Sequence, residues 1–199
     1  MTWTLAGLIV IASLLGFANL KPAIEQFGFV PQHAWRDGGV TVFTSFFLHA
    51  GVFHLVSNLY FLILFGNHVE DYVGRTRFGL LILLAAVTGD LLHLLMQPGS
   101  TTPSVGASGG IAGIITFYAL EFPRARLGFM LGYYWGFKWV QLPAWGAFAL
   151  WLGLQAIGAI EQISGFSRVN SLAHLGGVLG GFLAWIVWRR LNAYRGDQN

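Results

Sequence analysis

Ser104-Val105-Gly106-Ala107-Ser108-Gly109-Gly110-Ile111-Ala112-Gly113 is the stretch on which the reading of this chain turns. It sets a serine among small residues, where a polar, turn-prone loop, Gln97-Pro98-Gly99-Ser100-Thr101-Thr102-Pro103, gives way to an apolar run. A serine on a loop-to-helix turn is well placed to be a nucleophile. The first backbone N–H groups of a helix have no partner within it and can hold a developing oxyanion. The same small residues also serve plain helix packing in lipid. Residues elsewhere in the chain decide between the two.

The surrounding composition is that of a membrane chain. Of 199 residues, 55% are hydrophobic and 10% charged, whereas soluble domains carry about a quarter charged residues. The absence of cysteine excludes a disulfide framework, a thiol nucleophile and a thiolate metal site. A net charge of +3 supplies too few cations for a nucleic-acid surface.

Six segments are apolar enough to be read as spans: about Trp3–Leu20, Val52–Gly66, Phe78–Met96, Ala107–Phe122, Pro143–Ile160 and Ser171–Trp188. The sequence therefore predicts an all-α membrane protein. It is a polytopic bundle of six transmembrane helices in a single domain, residues 1–199, with an interfacial loop, Lys21–Gly51, between the first two. The first segment lacks a basic region ahead of it and a clean cleavage site behind it, so it reads as a retained helix. With the N-terminus inside, eight of the eleven Lys and Arg fall on inner segments: Arg75, Arg77, Arg124, Arg126, Lys138, Arg189, Arg190 and Arg195. Lys21, Arg36 and Arg168 remain outside, and this bias favours cytoplasmic N- and C-termini.

The fourth span is short. From Ser108 to Phe122 it reaches about 22 Å, against a hydrocarbon core of about 30 Å. With Phe122-Pro123-Arg124 at the inner surface, Ser108 lies below the outer one and the preceding loop dips into the membrane. Irregular backbone at that depth must be buried in protein or line a wet cavity.

Other spans carry polar groups at similar depth. His54 and Asn58 are four residues apart and share one face of the second span, shortly after His49. Asp90 and His93 lie on the third, and His174 shares a face of the sixth with Gly177 and Gly181. Each by itself is equally an interhelical hydrogen-bonding residue. His49 and His54 are five apart, not the four that one helical face needs, and no His-Glu-x-x-His occurs, so no metal site is expected. Glu70 is read as pairing with an arginine or capping an inner turn over Gly66–Arg77. Arg124–Leu142, with Tyr133, Tyr134, Trp135, Phe137 and Trp139, reads as an aromatic anchoring loop. The fifth span, with Trp145, Trp151 and Gln155, shows no evident chemistry.

The second, fourth and sixth spans all enter from outside and bring their polar groups to one level. A serine, a base and side-chain donors at one level form the set needed for acyl transfer. Small residues support their approach. Ser108, Gly109, Ala112, Gly113 and Thr116 occupy one arc of the fourth span, opposite His174, Gly177, Gly181 and Ala184 of the sixth.

On these residues the chain resembles the rhomboid intramembrane serine proteases. The resemblance rests on His49…His54…Asn58, on Gly106-Ala107-Ser108-Gly109, and on Ala173-His174 followed by Gly177 and Gly181. Trp35-Arg36, Glu70…Gly74 and Phe122-Pro123 add to it. It implies a Ser–His dyad with Ser108 as nucleophile and His174 as general base. It further implies an oxyanion site of His54, Asn58 and the Ser108 N–H, supported by His49. Substrates would be transmembrane segments of other membrane proteins in the bilayer, with no cofactor, metal or nucleic acid, and a bacterial inner membrane is the expected setting. The chain departs from well-known bacterial members at Ala112, where they carry a tyrosine stacked on the histidine. The spacing from Trp35-Arg36 to His49 is also longer. Two alternatives stand beside this reading. One is a non-catalytic relative that binds transmembrane helices. The other is a small transporter relaying protons through Asp90, His93 and His174, which predicts repeated or broken helices that the sequence does not show.

Overall fold

The computed structural model describes residues 1–133, 135–167 and 169–196; Tyr134 and Arg168, placed above in the aromatic loop and on the outer side, lie outside the described residues. The chain runs α1 (Thr2–Phe17), α2 (Leu20–Phe27), α3 (Thr41–Phe47), α4 (Val52–Val73), α5 (Arg75–Met96), α6 (Ser108–Glu121), β1 (Arg126–Tyr133), β2 (Gly136–Pro143), α7 (Ala144–Ile163) and α8 (Ser171–Gly196). Among the described residues, α4, α5, α7 and α8 (over Ser171–Arg190) are long and apolar enough to cross a bilayer. The protein is an integral membrane protein. α1 is a shorter apolar helix.

α6 is the centre of the bundle. Its 14 residues are apolar on every side, and they are buried from Gly109 through Ile114 and from Thr116 through Ala119. A helix that is hydrophobic all round belongs inside. α8 packs against both α6 and α5, which also touch each other, with backbone against backbone. A Cβ added at Gly177 would stand 2.0 Å from the Gly109 carbonyl oxygen, and one at Gly181 2.3 Å from that of Gly113. On the opposite side, a Cβ at Gly176 would meet the Thr88 carbonyl at 2.3 Å. No side chain fits at such distances, so glycine alone permits this approach. Close packing is what holds helices together in lipid, where apolar surface has no water to escape. α7 stands apart, with only Ala144 and Ala159 buried along it.

Three segments differ from their sequence reading. Gly66–Arg77 is not a turn. α4 runs on to Val73 and α5 begins at Arg75, leaving Gly74 (φ 83°) between them. Asn67, His68, Glu70 and Asp71 lower the local hydropathy without breaking a helix that has reached the interface. The Glu70 carboxylate turns back to accept the Thr2 N–H at 2.7 Å, capping the first turn of α1, with Arg75 Nε 3.7 Å away. Arg124–Leu142 is not an irregular loop either. It contains the antiparallel hairpin β1–β2, in register from Arg126 opposite Pro143 to Tyr133 opposite Gly136, with Met130, Phe137 and Trp139 exposed. The all-α expectation is corrected there, because aromatic and branched residues favour extended pairing once no helix face can bury them. Lys21–Gly51 is likewise more ordered than a loop, holding α2, α3 and two 3-10 turns. Arg36 closes α2 by donating to the carbonyls of Glu25 and Gly28.

Candidate active site

The loop that delivers Ser108 is pinned by main-chain hydrogen bonds to the segments before α4. Phe29 and Ser104 exchange both main-chain hydrogen bonds, at 2.9 and 2.7 Å. Gln32 N–H reaches the Ser100 carbonyl at 3.1 Å, and Gly106 N–H reaches that of Ser45 at 2.9 Å. Such pairing is what lets irregular chain sit at membrane depth. Gly106 then turns with φ 126°, a conformation side chains disfavour. A Cβ there would fall 2.9 Å from His54 Nε2 and 3.7 Å from Ser108 Oγ. The space in front of Gly106 is therefore filled by the His54 ring, with the Ser108 hydroxyl beside it. Ala50 N–H donates to His54 Nδ1 at 3.3 Å, which leaves the ring proton on Nε2, on the side of the ring nearest Gly106.

Asn170 sets the height of α8. Its Oδ1 caps the helix by accepting the Ala173 N–H at 3.1 Å. Its Nδ2 lies 2.7 Å from Ser104 Oγ and 3.0 Å from His93 Nδ1, and Gln162 donates to Oδ1 at 3.0 Å. Loop, α5, α7 and α8 thus meet at one side chain. One turn further on, His174 Nε2 stands 2.9 Å from Ser108 Oγ. The other ring nitrogen, Nδ1, lies 2.7 Å from Gln155 Oε1, and the ring is flanked by Trp151 at 6.4 Å between centroids.

His49 is buried, with Nδ1 3.0 Å from Ser13 Oγ and its ring edge against His54 at 4.9 Å. Burial, and behind it the neighbouring His54, hold the His49 imidazole down to about 4. Asn58 is buried one turn after His54 and donates to the His54 carbonyl at 2.8 Å. Its Oδ1 has no hydrogen-bond partner among the described residues.

Ser108, His54, Asn58, Asn170 and His174 line a cavity of ≈ 1180 Å³ that reaches the Ser108 loop, α4 and α7, past Phe61 and Phe148. Its lining mixes these polar side chains with apolar ones. Asp90 and His93 border it as well, with His93 engaged by Asn170. Among the described residues no group of three His, Asp or Glu is disposed to hold a metal ion. The arrangement can transfer a proton from a serine hydroxyl to an imidazole beside a set of N–H donors. The sequence reading passed over Gln155, Ser13 and Asn170. Asn170 had a signal, an asparagine directly before an apolar helix. Gln155 had a fainter one, an amide at membrane depth one turn after a tryptophan. Ser13 had none.

The model of the Rhomboid domain family matches residues 31–190. The chain belongs to the rhomboid family. Its similarity to RHOMBOID-like protein 1 of Arabidopsis thaliana is 36% identity over 155 residues, covering 77% of this chain and 34% of the relative. It is 32% identical to Rhomboid-like protease 3 of Toxoplasma gondii over 169 residues, 84% of this chain and 54% of that one. It is 26% identical to Presenilin-associated rhomboid-like protein A, mitochondrial, of Danio rerio over 200 residues, 94% of this chain and 49% of that one. The chain thus spans between about a third and a half of the length of these relatives. The matched stretch of this rhomboid starts at Pro31 and takes in His49, His54, Asn58, Ser108 and His174.

Proposed function

We propose that this rhomboid is an intramembrane serine protease that cuts transmembrane segments of other membrane proteins. The observation that carries the proposal is the 2.9 Å contact between Ser108 Oγ and His174 Nε2 in the lining of a cavity within the bundle. A nucleophile and its base must meet within about 2.6–3.2 Å. In this reading α1 and α6 join the four longer helices as spans, the termini are cytoplasmic, and the cavity opens to the outer side.

The chemistry follows from the atoms in place. Ser108 Oγ attacks the scissile carbonyl carbon as its proton passes to His174 Nε2. The carbonyl oxygen becomes an oxyanion beside Ser108 Oγ, where His54 Nε2–H and the Ser108 N–H can donate to it. Asn58 has one amide N–H in its backbone bond and a second for the same oxygen. Protonated His174 gives its proton to the leaving amine, and the C–N bond breaks. Water, deprotonated by His174, then releases the acyl group and restores Ser108. A peptide must leave its helix to react, because helical carbonyls are hydrogen-bonded and covered by side chains. Substrates are therefore expected to carry helix-weakening residues near their outer ends.

The test is covalent. A fluorophosphonate should modify Ser108 of the purified protein, mapped by mass spectrometry, and Ser108→Ala should abolish the adduct. In cleavage assays Ser108→Ala, His174→Ala and the double variant should lose activity to nearly the same extent, as groups acting as a unit do. Near-additive losses, or an adduct elsewhere than Ser108, would contradict the dyad. An unmodified Ser108 would favour the non-catalytic reading, a rhomboid that binds transmembrane helices without cutting them.

A further inference from the structure

α7 is the least enclosed long helix, yet it presents two side chains inward, Trp151 and Gln155, one turn apart on the same face. An amide at membrane depth costs free energy unless it finds a partner. Gln155 finds His174, on the nitrogen that Ser108 does not use. The identity of the partner atom matters. Neutral imidazole carries one proton, so the partner at Nδ1 decides whether Nε2 faces Ser108 with a lone pair or with a hydrogen. With Gln155 Oε1 at 2.7 Å, Nδ1 holds the proton and Nε2 can accept from the serine hydroxyl. Were the amide nitrogen turned inward, Nε2 would carry the hydrogen and could not act as a base.

We infer that Gln155 is a positioning residue: its side-chain oxygen accepts the His174 Nδ1–H and holds the imidazole in the tautomer whose Nε2 lone pair faces Ser108. Trp151 supports the same ring from the side. It provides an aromatic face where Ala112, on α6, offers only a methyl group. α7 thus supplies to this dyad what neither α6 nor α8 contains. The inference rests on the protease reading for its kinetic consequences and on the hydrogen bond alone for its spectroscopic one. A neutral amide orients the ring without adding a charge, so the dyad works with no acid as its third member.

The experiment replaces Gln155 by methionine, which matches its length and helix preference but lacks the acceptor. In full-length protein labelled with ¹⁵N-histidine, the His174 ring, assigned by difference with His174→Ala, should show a protonated Nδ1 in the wild type. In Gln155→Met it should shift toward the Nε2–H form. The turnover rate should fall about 10- to 100-fold, the effect of losing one hydrogen bond to a group that becomes charged, with KM changed less than about twofold. A wild-type ring protonated on Nε2, an unchanged spectrum in Gln155→Met, or unchanged turnover would each overturn the inference. If the wild type neither cleaved substrate nor reacted with a fluorophosphonate, the protease reading would fall. The ring spectrum would still decide whether Gln155 sets the tautomer.

Discussion

His54 illustrates how one backbone contact can fix a tautomer. Because Ala50 N–H occupies its Nδ1, the ring carries its N–H on Nε2, the nitrogen packed against Gly106 near Ser108. His54→Ala and Asn58→Ala should each lower the turnover rate by about 10²-fold, the scale of a lost oxyanion donor, with little change in KM. Strong chelators should leave the wild type unaffected, and inhibition reversed by zinc would contradict these roles. His49 makes a different prediction. Burial holds its folded-state pKa down to about 4, below the ordinary imidazole value of 6.5, so the native state favours the neutral ring. The resulting stability is complete above about pH 6.5 and is lost as the pH falls toward 4. The Tm should therefore drop between pH 7 and 5, and drop less in His49→Gln; equal slopes would contradict the burial of a neutral His49. Ser108, His174 and His54 were legible in the sequence because polar groups are costly at membrane depth and their spacing put them at one level. Gln155 was not, since a single helix's pattern does not say which neighbour its polar residue meets. Ser13 on α1 touches the His49 ring only because the fold brings α1 there.

At the scale of elements, the contact between α6 and α8 decides the geometry of the site. The missing side chains of Gly177 and Gly181 are occupied by carbonyl oxygens of α6. Gly177→Leu should force the two helices apart, and a displacement of about 1 Å costs on the order of 10²-fold in rate. Gly113→Leu should lower the rate as well, since its Cβ would meet Ala85 Cβ of α5 at 2.3 Å and the Gly177 carbonyl oxygen of α8 at 3.1 Å. Gly153→Leu on the open face of α7, with nothing within 4 Å, is the matched control and should cleave at the wild-type rate. Membrane insertion of all three should be intact by protease protection. Wild-type activity in Gly177→Leu would mean that the dyad does not depend on this contact. The small-residue arcs of α6 and α8 could be read from helical periodicity. The second glycine face of α8, Gly176 and Gly180 against α5, could not, because a sequence shows that a helix is narrow there but not that it is narrow on two sides. The hairpin and the long C-terminal end of α4 were hidden for another reason. Hydropathy measures affinity for lipid and is silent on the backbone conformation of segments that leave it.

For the whole molecule, polar and apolar side chains line one cavity that reaches both α4 and α7, and α7 is held mainly at its ends and along α8. The bundle was legible as a membrane protein from composition alone, whereas this furrow was not, since it depends on how far α7 stands from α4. Orientation is open to a clean test, because the chain contains no cysteine to confuse the readout. With a membrane-impermeant maleimide, Thr101→Cys should label from the outer side and Lys138→Cys only after permeabilisation; the reverse pattern would invert the topology. The central claim, that this rhomboid cuts peptide bonds within the membrane through Ser108, meets its most direct test in proteoliposomes. They would hold the purified protein and a panel of single-span substrates with glycine or proline near their outer ends. The wild type should cleave at least one span near its outer end, and Ser108→Ala should cleave none. Equal cleavage by both proteins, or an intact panel with the wild type, would contradict it.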